Sequence, residues 1–316
     1  MKSITRWALM ALLSGLLVSG SACYLEGEGI EKRSQKSFTV TENGTLFLKT
    51  DIGAIDVEIG SDDTVVVEVS RKAKTASERR AERIMKDFTL DFRQDGKDVH
   101  VTAEYHRGRR LMSWLGNRLH VRFTVRVPRT YNLDLRTSGG GIAVDDLEGR
   151  ISARTSGGGL RFGAVKGPVV ARTSGGTIRM EACGGIAELK TSGGSITLGR
   201  VHGDVTASTS GGSIRIEEIM GSIDAHTSGG SIKVAISRQP ERNCRLTTSG
   251  GTITVSLFGG VKLNLDAKTS GGRVHTDFPV TVRGEISRRM LKAELNGGGP
   301  ELYLRTSGGS IHIREL

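Results

Sequence analysis

Nine copies of one tetrapeptide constrain this chain more than any other feature. Thr-Ser-Gly-Gly begins at Thr137, Thr155, Thr173, Thr191, Thr209, Thr227, Thr248, Thr269 and Thr306. The first five intervals are 18 residues each, the next two 21 and the last 37, or about two periods. A fixed period of this size marks a stack of repeated units rather than a globule. Around Asn296 the run Asn-Gly-Gly-Gly reads as a degenerate copy inside the longest gap.

The flanks of each copy alternate with period two, as strands do. Ile151, Ala153 and Thr155 share one face, and Arg150, Ser152 and Arg154 the other. The same inward slots recur as Val169, Ala171 and Thr173, then Val205, Ala207 and Thr209, then Ile223, Ala225 and Thr227. After the Gly-Gly a second short strand points Leu160 and Phe162 inward, with Ile178 and Met180, then Ile196 and Leu198, as equivalents. Thr155 and Leu160 are five residues apart, an odd number, so alternation breaks at Ser-Gly-Gly and marks a corner. Glycine is expected there for its access to positive φ. A second corner falls near Val165-Lys166-Gly167.

One such coil cannot bury its apolar face alone. Stacking coils as parallel strands about 4.8 Å apart buries a narrow continuous core. Aromatic residues make up only 4% of the chain, too few for a broad core but enough for this one. The fold class expected is all-β: a parallel β-helix or solenoid of about 18 residues per coil, with roughly ten coils over 131–316. A left-handed hexapeptide helix needs an apolar slot every six residues, which is not met, so a right-handed coil is expected.

Residues 36–130 lack the tetrapeptide but alternate as strands over Ser37–Val57, Thr64–Ser70, Phe88–Phe92, Val99–Tyr105 and His120–Val127. Thr75–Lys86 is rich in helix formers, and Thr75 and Glu78 have capping-box spacing. This region reads as a β-rich cap with one short helix, covering a sheet edge that would otherwise template aggregation. Lys49-Thr50-Asp51-Ile52-Gly53-Ala54-Ile55 looks like a worn first copy of the repeat.

The N-terminus carries an address. Lys2 and Arg6 precede the apolar run Ala8–Val18, which is too short to span a bilayer comfortably, and Gly20-Ser21-Ala22-Cys23 follows. Residues 1–22 are expected to be a signal peptide, Cys23 the lipidated residue, and 23–35 a linker. Gly20 stands where a lipobox usually has Leu, so simple cleavage after Ala22 is the alternative. Cys183 and Cys244 remain, more than three coils apart, and are expected to stay free thiols.

Taken together, the export signal, the helix-bearing preamble, the strand ending at Val127-Pro128 and the recurring T-S-G-G-x-I-x-I coils resemble the bacterial putative-adhesin family of β-strand-repeat proteins. The resemblance covers about residues 36–316 and implies a right-handed β-helix-like fold. It brings no catalytic residues.

The net charge is +11, which suggests anionic company. The residue before each repeat Thr points outward, and Arg136, Arg154, Arg172, Lys190, Lys268 and Arg305 fill six of these nine positions. The outward slot after the Gly-Gly adds Arg161, Arg179, Arg215 and Lys233. Stacked like charges repel unless anions neutralise them. A polyanion lying along the rod would do so; solvent, salt and nearby acids are the plainer alternative. The repeat Thr shares parity with buried Ile and Ala, so an ice-binding face is not expected. No Asp stands where a calcium-binding β-roll needs it, the seven histidines lack ligand spacing, and no nucleophile–base set or carboxylate pair converges. No cofactor, metal or catalysis is expected. The stretch Tyr105–His120 is basic and apolar, either a membrane-resting loop or a hairpin folded onto the cap.

The expected function is a non-catalytic cell-envelope solenoid on the outer membrane or facing the periplasm. It would be held to the membrane by its lipid and would present an adhesin-like surface to anionic polysaccharide, lipopolysaccharide or another polyanion, nucleic acid being the least expected. The competing reading is a periplasmic scaffold or sensor accessory with a protein partner.

Overall fold

The computed structural model describes residues 23–25, 29–41, 43–106 and 119–316. The expected signal peptide, 1–22, and residues 107–118 of the basic loop lie outside the described residues. Two 14-stranded sheets face one another across the core. One holds the strands that end in the repeat threonines and is called the Thr sheet. The other holds the strands that follow Gly-Gly and is called the Ile sheet. Parallel register links equivalent residues of neighbouring repeats: Ile151 with Val169, Ala153 with Ala171, Leu160 with Ile178, and Phe162 with Met180. Every inward slot read from the sequence is buried, and the interior is a ribbon of Ile, Val, Leu and Ala rather than an aromatic cluster. A fully buried Ile or Val contributes about 1.5–3 kcal/mol, so each layer depends on the layers above and below to cover it.

The corners show why the tetrapeptide recurs. Each repeat Thr is buried. Its hydroxyl donates to the carbonyl of the second Gly in the adjacent layer: Thr173 to Gly158 at 2.7 Å, Thr191 to Gly176 at 2.8 Å and Thr209 to Gly194 at 2.7 Å. The same oxygen accepts from the second Gly of its own copy, as Gly194 N–H to Thr191 at 3.3 Å. The glycines are not there for positive φ. Among the described residues only Gly53, Gly96, Gly297 and Gly298 have it, together with Asn43 and Asn296. The second Gly is required because backbones meet: a Cβ on Gly158 would lie 2.2 Å from the Gly140 carbonyl oxygen.

Chain order and stacking order part company at both ends. The layer Thr45–Thr50/Ala54–Ile59 sits between Asn132–Thr137/Ile142–Val144 and the layer made by Asp98–Tyr105 and Leu119–Val127. The worn first copy is therefore a true layer, although Thr50 bonds to the Ile52 carbonyl within its own corner. Residues 36–130 are continuous with both sheets. At the other end Glu301–Thr306/Ile311–Glu315 inserts between Cys244–Thr248/Ile253–Leu257 and Leu263–Thr269/Val274–Thr276. Asn296-Gly-Gly-Gly is not a degenerate coil. Positive φ at Asn296, Gly297 and Gly298 makes it the turn leaving an antiparallel pair, Thr281–Ser287 and Met290–Leu295. The region 131–316 thus forms nine layers rather than ten.

The stretch 23–35, expected as linker, holds strand Cys23–Leu25 and the start of Ile30–Thr39, which pairs antiparallel with Thr64–Ala73 along its length. Only Ile30 and Phe38 of this strand are buried, so its polar alternation concealed it. The helix runs over Glu78–Lys86, three residues shorter at its start than expected. Ser77 is its N-cap without a side-chain cap bond, and Thr75 instead accepts from the Ser77 N–H, so no capping box forms. Ala81 and Met85, one turn apart, are its buried residues. Cys183 and Cys244 are both buried free thiols, one in each sheet. Burial pushes both thiols up.

Candidate functional site

Strand pairing places the ten basic residues in two columns on different sheets. The outer face of the Thr sheet carries, layer by layer, Lys49, Arg136, Arg154, Arg172 and Lys190, then Ser208, His226 and Thr247, then Arg305 and Lys268. Arg161, Arg179, Arg215 and Lys233 lie on the outer face of the Ile sheet, with Thr197 between the pairs. No single ligand strand can lie along both.

The Thr-sheet column holds five cations in consecutive layers, spanning about 19 Å at the strand spacing. Lys49 was not among the expected positions. Its signal was present, because it precedes Thr50 of the worn copy as Arg154 precedes Thr155. Arg136 donates two bonds of 2.9 Å to Asp134, whose carboxylate holds the guanidinium more firmly charged and fixes its plane. Arg172 pairs with Glu188. Lys49, Arg154 and Lys190 make no ion pair among the described residues. At the far end Arg305 bonds Asp266 at 2.8 Å, and Tyr303 is flanked by the guanidinium carbons of Arg305 at 4.1 Å and Arg245 at 4.5 Å.

The Ile-sheet face is mixed in sign. Asp56 adjoins Ala143 and then Arg161 in the same column. Burial, together with Glu58, Asp146 and Asp56, pushes the Asp145 carboxyl up. Further along, Arg200 pairs with Glu218 at 2.8 Å. Beyond Arg122, which pairs with Asp56, a polar cleft of about 600 Å³ is lined by Glu31, Arg33, Ser70, Lys72 and His120 among others. Hydrogen bonds from Arg33 and Ser70 hold the Glu31 carboxyl below the usual carboxylate range.

Among the described residues no three His, Cys, Asp or Glu side chains gather closely enough to hold a metal ion. No helix there is long and apolar enough to cross a membrane. The repeat threonines point inward and offer no ice-like array. The backbone of Cys23 pairs with Lys32 in an antiparallel ladder.

A family model described as Toastrack DUF4097 matches residues 46–314. Similar solved structures include a putative adhesin from Parabacteroides distasonis, at 12% identity and TM-score 0.38, covering 90% of this chain and 97% of that one. Another is a putative adhesin from Parabacteroides merdae, at 11% identity and TM-score 0.38, covering 90% and 96%. A putative lipid binding protein from Parabacteroides distasonis has 11% identity and TM-score 0.35 over 90% and 96%. No curated protein matches the chain.

Proposed function

The chain belongs to the Toastrack DUF4097 family, and from that premise we propose that it is an exported, non-catalytic solenoid whose Thr-sheet face binds an anionic polymer at the cell envelope. The observation that carries this reading is the unbroken run Lys49, Arg136, Arg154, Arg172 and Lys190, three of whose members have no acidic partner among the described residues. Stacked cations at the strand spacing repel, and a linear polyanion along the column would relieve the repulsion, above all at Lys49, Arg154 and Lys190, since Arg136 and Arg172 already have Asp134 and Glu188. The Ile-sheet cations are interrupted by Thr197 into two runs of two layers each, so they are assigned no ligand. The winding is read as right-handed, the sense that connections between parallel strands overwhelmingly take.

Cys23 is read as the lipidated residue that keeps the rod at the membrane. Cys23→Ser should release the protein into the soluble fraction and abolish fatty-acid labelling; unchanged fractionation and labelling would remove Cys23 as the anchor. For the face, the test is retention on polygalacturonate across a salt series. Arg136, Arg154, Arg172 and Lys190 replaced together by Gln should weaken retention and flatten its salt dependence. Equal retention and slope in the variant would overturn the reading. Salt-insensitive co-purification of one envelope protein would replace it with a scaffold role.

A further inference from the structure

At the head of the cation column the outer face of the Thr sheet carries an aromatic surface that packing does not explain. Phe47 points outward with 37% of its surface exposed. The next strand places His100 directly beside it, and the rings stack with centroids 4.7 Å apart and planes 6° apart. The equivalent positions in the following layers are Asp134, Ser152, Val170 and Glu188. A hollow of about 260 Å³ borders this pair, lined by Phe47, Lys49, His100, Thr102, Asp134 and Arg136 among others. Lys49 lies level with Thr102 on one side and Arg136 on the other, so both cations rise next to the rings. Asp134 grips Arg136 through two 2.9 Å bonds and keeps the guanidinium from swinging away.

We infer that this hollow is a subsite for one carboxylated sugar ring, the end unit of an acidic glycan that continues along Arg154, Arg172 and Lys190. The inference rests on the polyanion reading above and names its ligand class. Three groups of the hollow match three parts of such a sugar. A pyranose has an apolar C–H face, which would lie against the part of the Phe47 ring that its stacking on His100 leaves exposed. Its carboxylate takes charge-assisted bonds from Lys49 and Arg136. Its hydroxyls are donors for the free lone pairs of Asp134 and partners for Thr102. An apolar wall with a few convergent polar groups is the usual make-up of a small-ligand site. A single-stranded nucleic acid also combines stacking with cations, but it needs a platform for successive bases, and the next layers offer Asp134, Ser152 and Val170 instead.

The experiment is titration of the full chain with trigalacturonate, read by calorimetry and by saturation-transfer NMR on the sugar ring protons, with polygalacturonate and oligothymidylate as parallel probes. Saturation should concentrate on one C–H face. Phe47→Ala should weaken trimer binding about fivefold, and Phe47→Leu, which keeps the bulk without the flat ring, should do nearly the same. Lys49→Gln should weaken it by a similar factor, about fivefold, and reduce its salt dependence. Phe47 is outside the core, so these variants should keep the parent melting temperature. Trimer binding unchanged by Phe47→Ala overturns the subsite. Binding of the polymer but not the trimer also overturns it, while leaving the cation column as the ligand surface. Oligothymidylate binding as tight as the trimer's and equally weakened by Phe47→Ala would reassign the platform to nucleobases. Failure to bind either acidic glycan would remove both readings.

Discussion

The Thr155 hydroxyl donates to the Gly140 carbonyl at 2.6 Å, joining residues 15 apart in sequence but in adjacent layers of the rod. The bond recurs at successive layers, and each threonine also accepts the N–H of the second Gly in its own copy. The corner is therefore a ladder in which every rung bonds the layer beside it.

Removing one rung should cost more than removing one surface hydroxyl. Thr191→Val keeps the volume but strands the Gly176 carbonyl and the Gly194 N–H, both at a half-buried corner. The expected loss is about 2 kcal/mol, and Thr191→Ser should recover most of it. Urea unfolding of the two variants checks this; an unaffected Thr191→Val would mean water replaces the rung.

The two glycines of a copy should behave oppositely. A Cβ on Gly158 meets backbone at 2.2 Å, whereas on Gly157 its nearest neighbour is 3.8 Å away. Gly158→Ala should lose more than about 2 kcal/mol, because backbone must shift to accept it. Gly157→Ala should be neutral or stabilising by up to about 1 kcal/mol, through a less flexible unfolded chain. The first-Gly position tightens along the rod, from 3.9 Å at Gly139 through 3.4 Å at Gly193 to 2.9 Å at Gly308. Alanine should accordingly be tolerated worse at Gly308 than at Gly157, as thermal melts of the two variants would report.

Deleting residues 300–316 should do more than shorten the rod. Leu302 pairs with Cys244 on one side and Leu265 on the other, so the deletion empties an internal layer. Because stacked layers couple only to their neighbours, amide protection should fall over residues 244–276 and persist over 151–209. Protection retained throughout 244–276 would show that the flanking layers close the gap by pairing directly.

Acid should loosen the end of the Ile sheet where His275 and His312 stack at 5.4 Å on adjacent strands. Burial, then His275 and Arg314, lower the His312 pKa below the ordinary imidazole value of 6.5, against a smaller opposing pull from Asp277. The folded protein binds this proton less tightly than the unfolded chain does. Stability is thus intact above about pH 6.5 and declines as pH falls through that value toward the folded pKa. Burial, with Lys74 and Lys72, lowers His120 in the same direction. His312→Gln should make the melting temperature less sensitive to pH between 7.5 and 5.5, and His120→Gln should remove part of the remainder. A pH profile that His312→Gln leaves unchanged would rule out this contribution.

The sequence by itself determined the repeating layer. Period-two alternation around each Thr-Ser-Gly-Gly assigns Ile151, Ala153, Thr155, Leu160 and Phe162 to the interior and Arg154 and Arg161 to the exterior, because one-sided burial leaves no other register. Those are local constraints, repeated until they could not be misread. What lay outside their reach depends on contacts between distant segments. The glycines looked like left-handed turn residues, and only the stacked backbone shows that Gly158 is glycine because Gly140 lies against it. Ile30–Thr39 carries too few apolar residues to announce itself and is a strand because Thr64–Ala73 supplies its hydrogen bonds. The insertion of Glu301–Glu315 between two earlier layers left no mark in the spacing, since a coil's own residues do not encode which neighbours it will meet. For the same reason ten basic residues that read as one surface separate onto two sheets, while Lys49, hidden in a worn copy, joins Arg136 beside the Phe47–His100 pair.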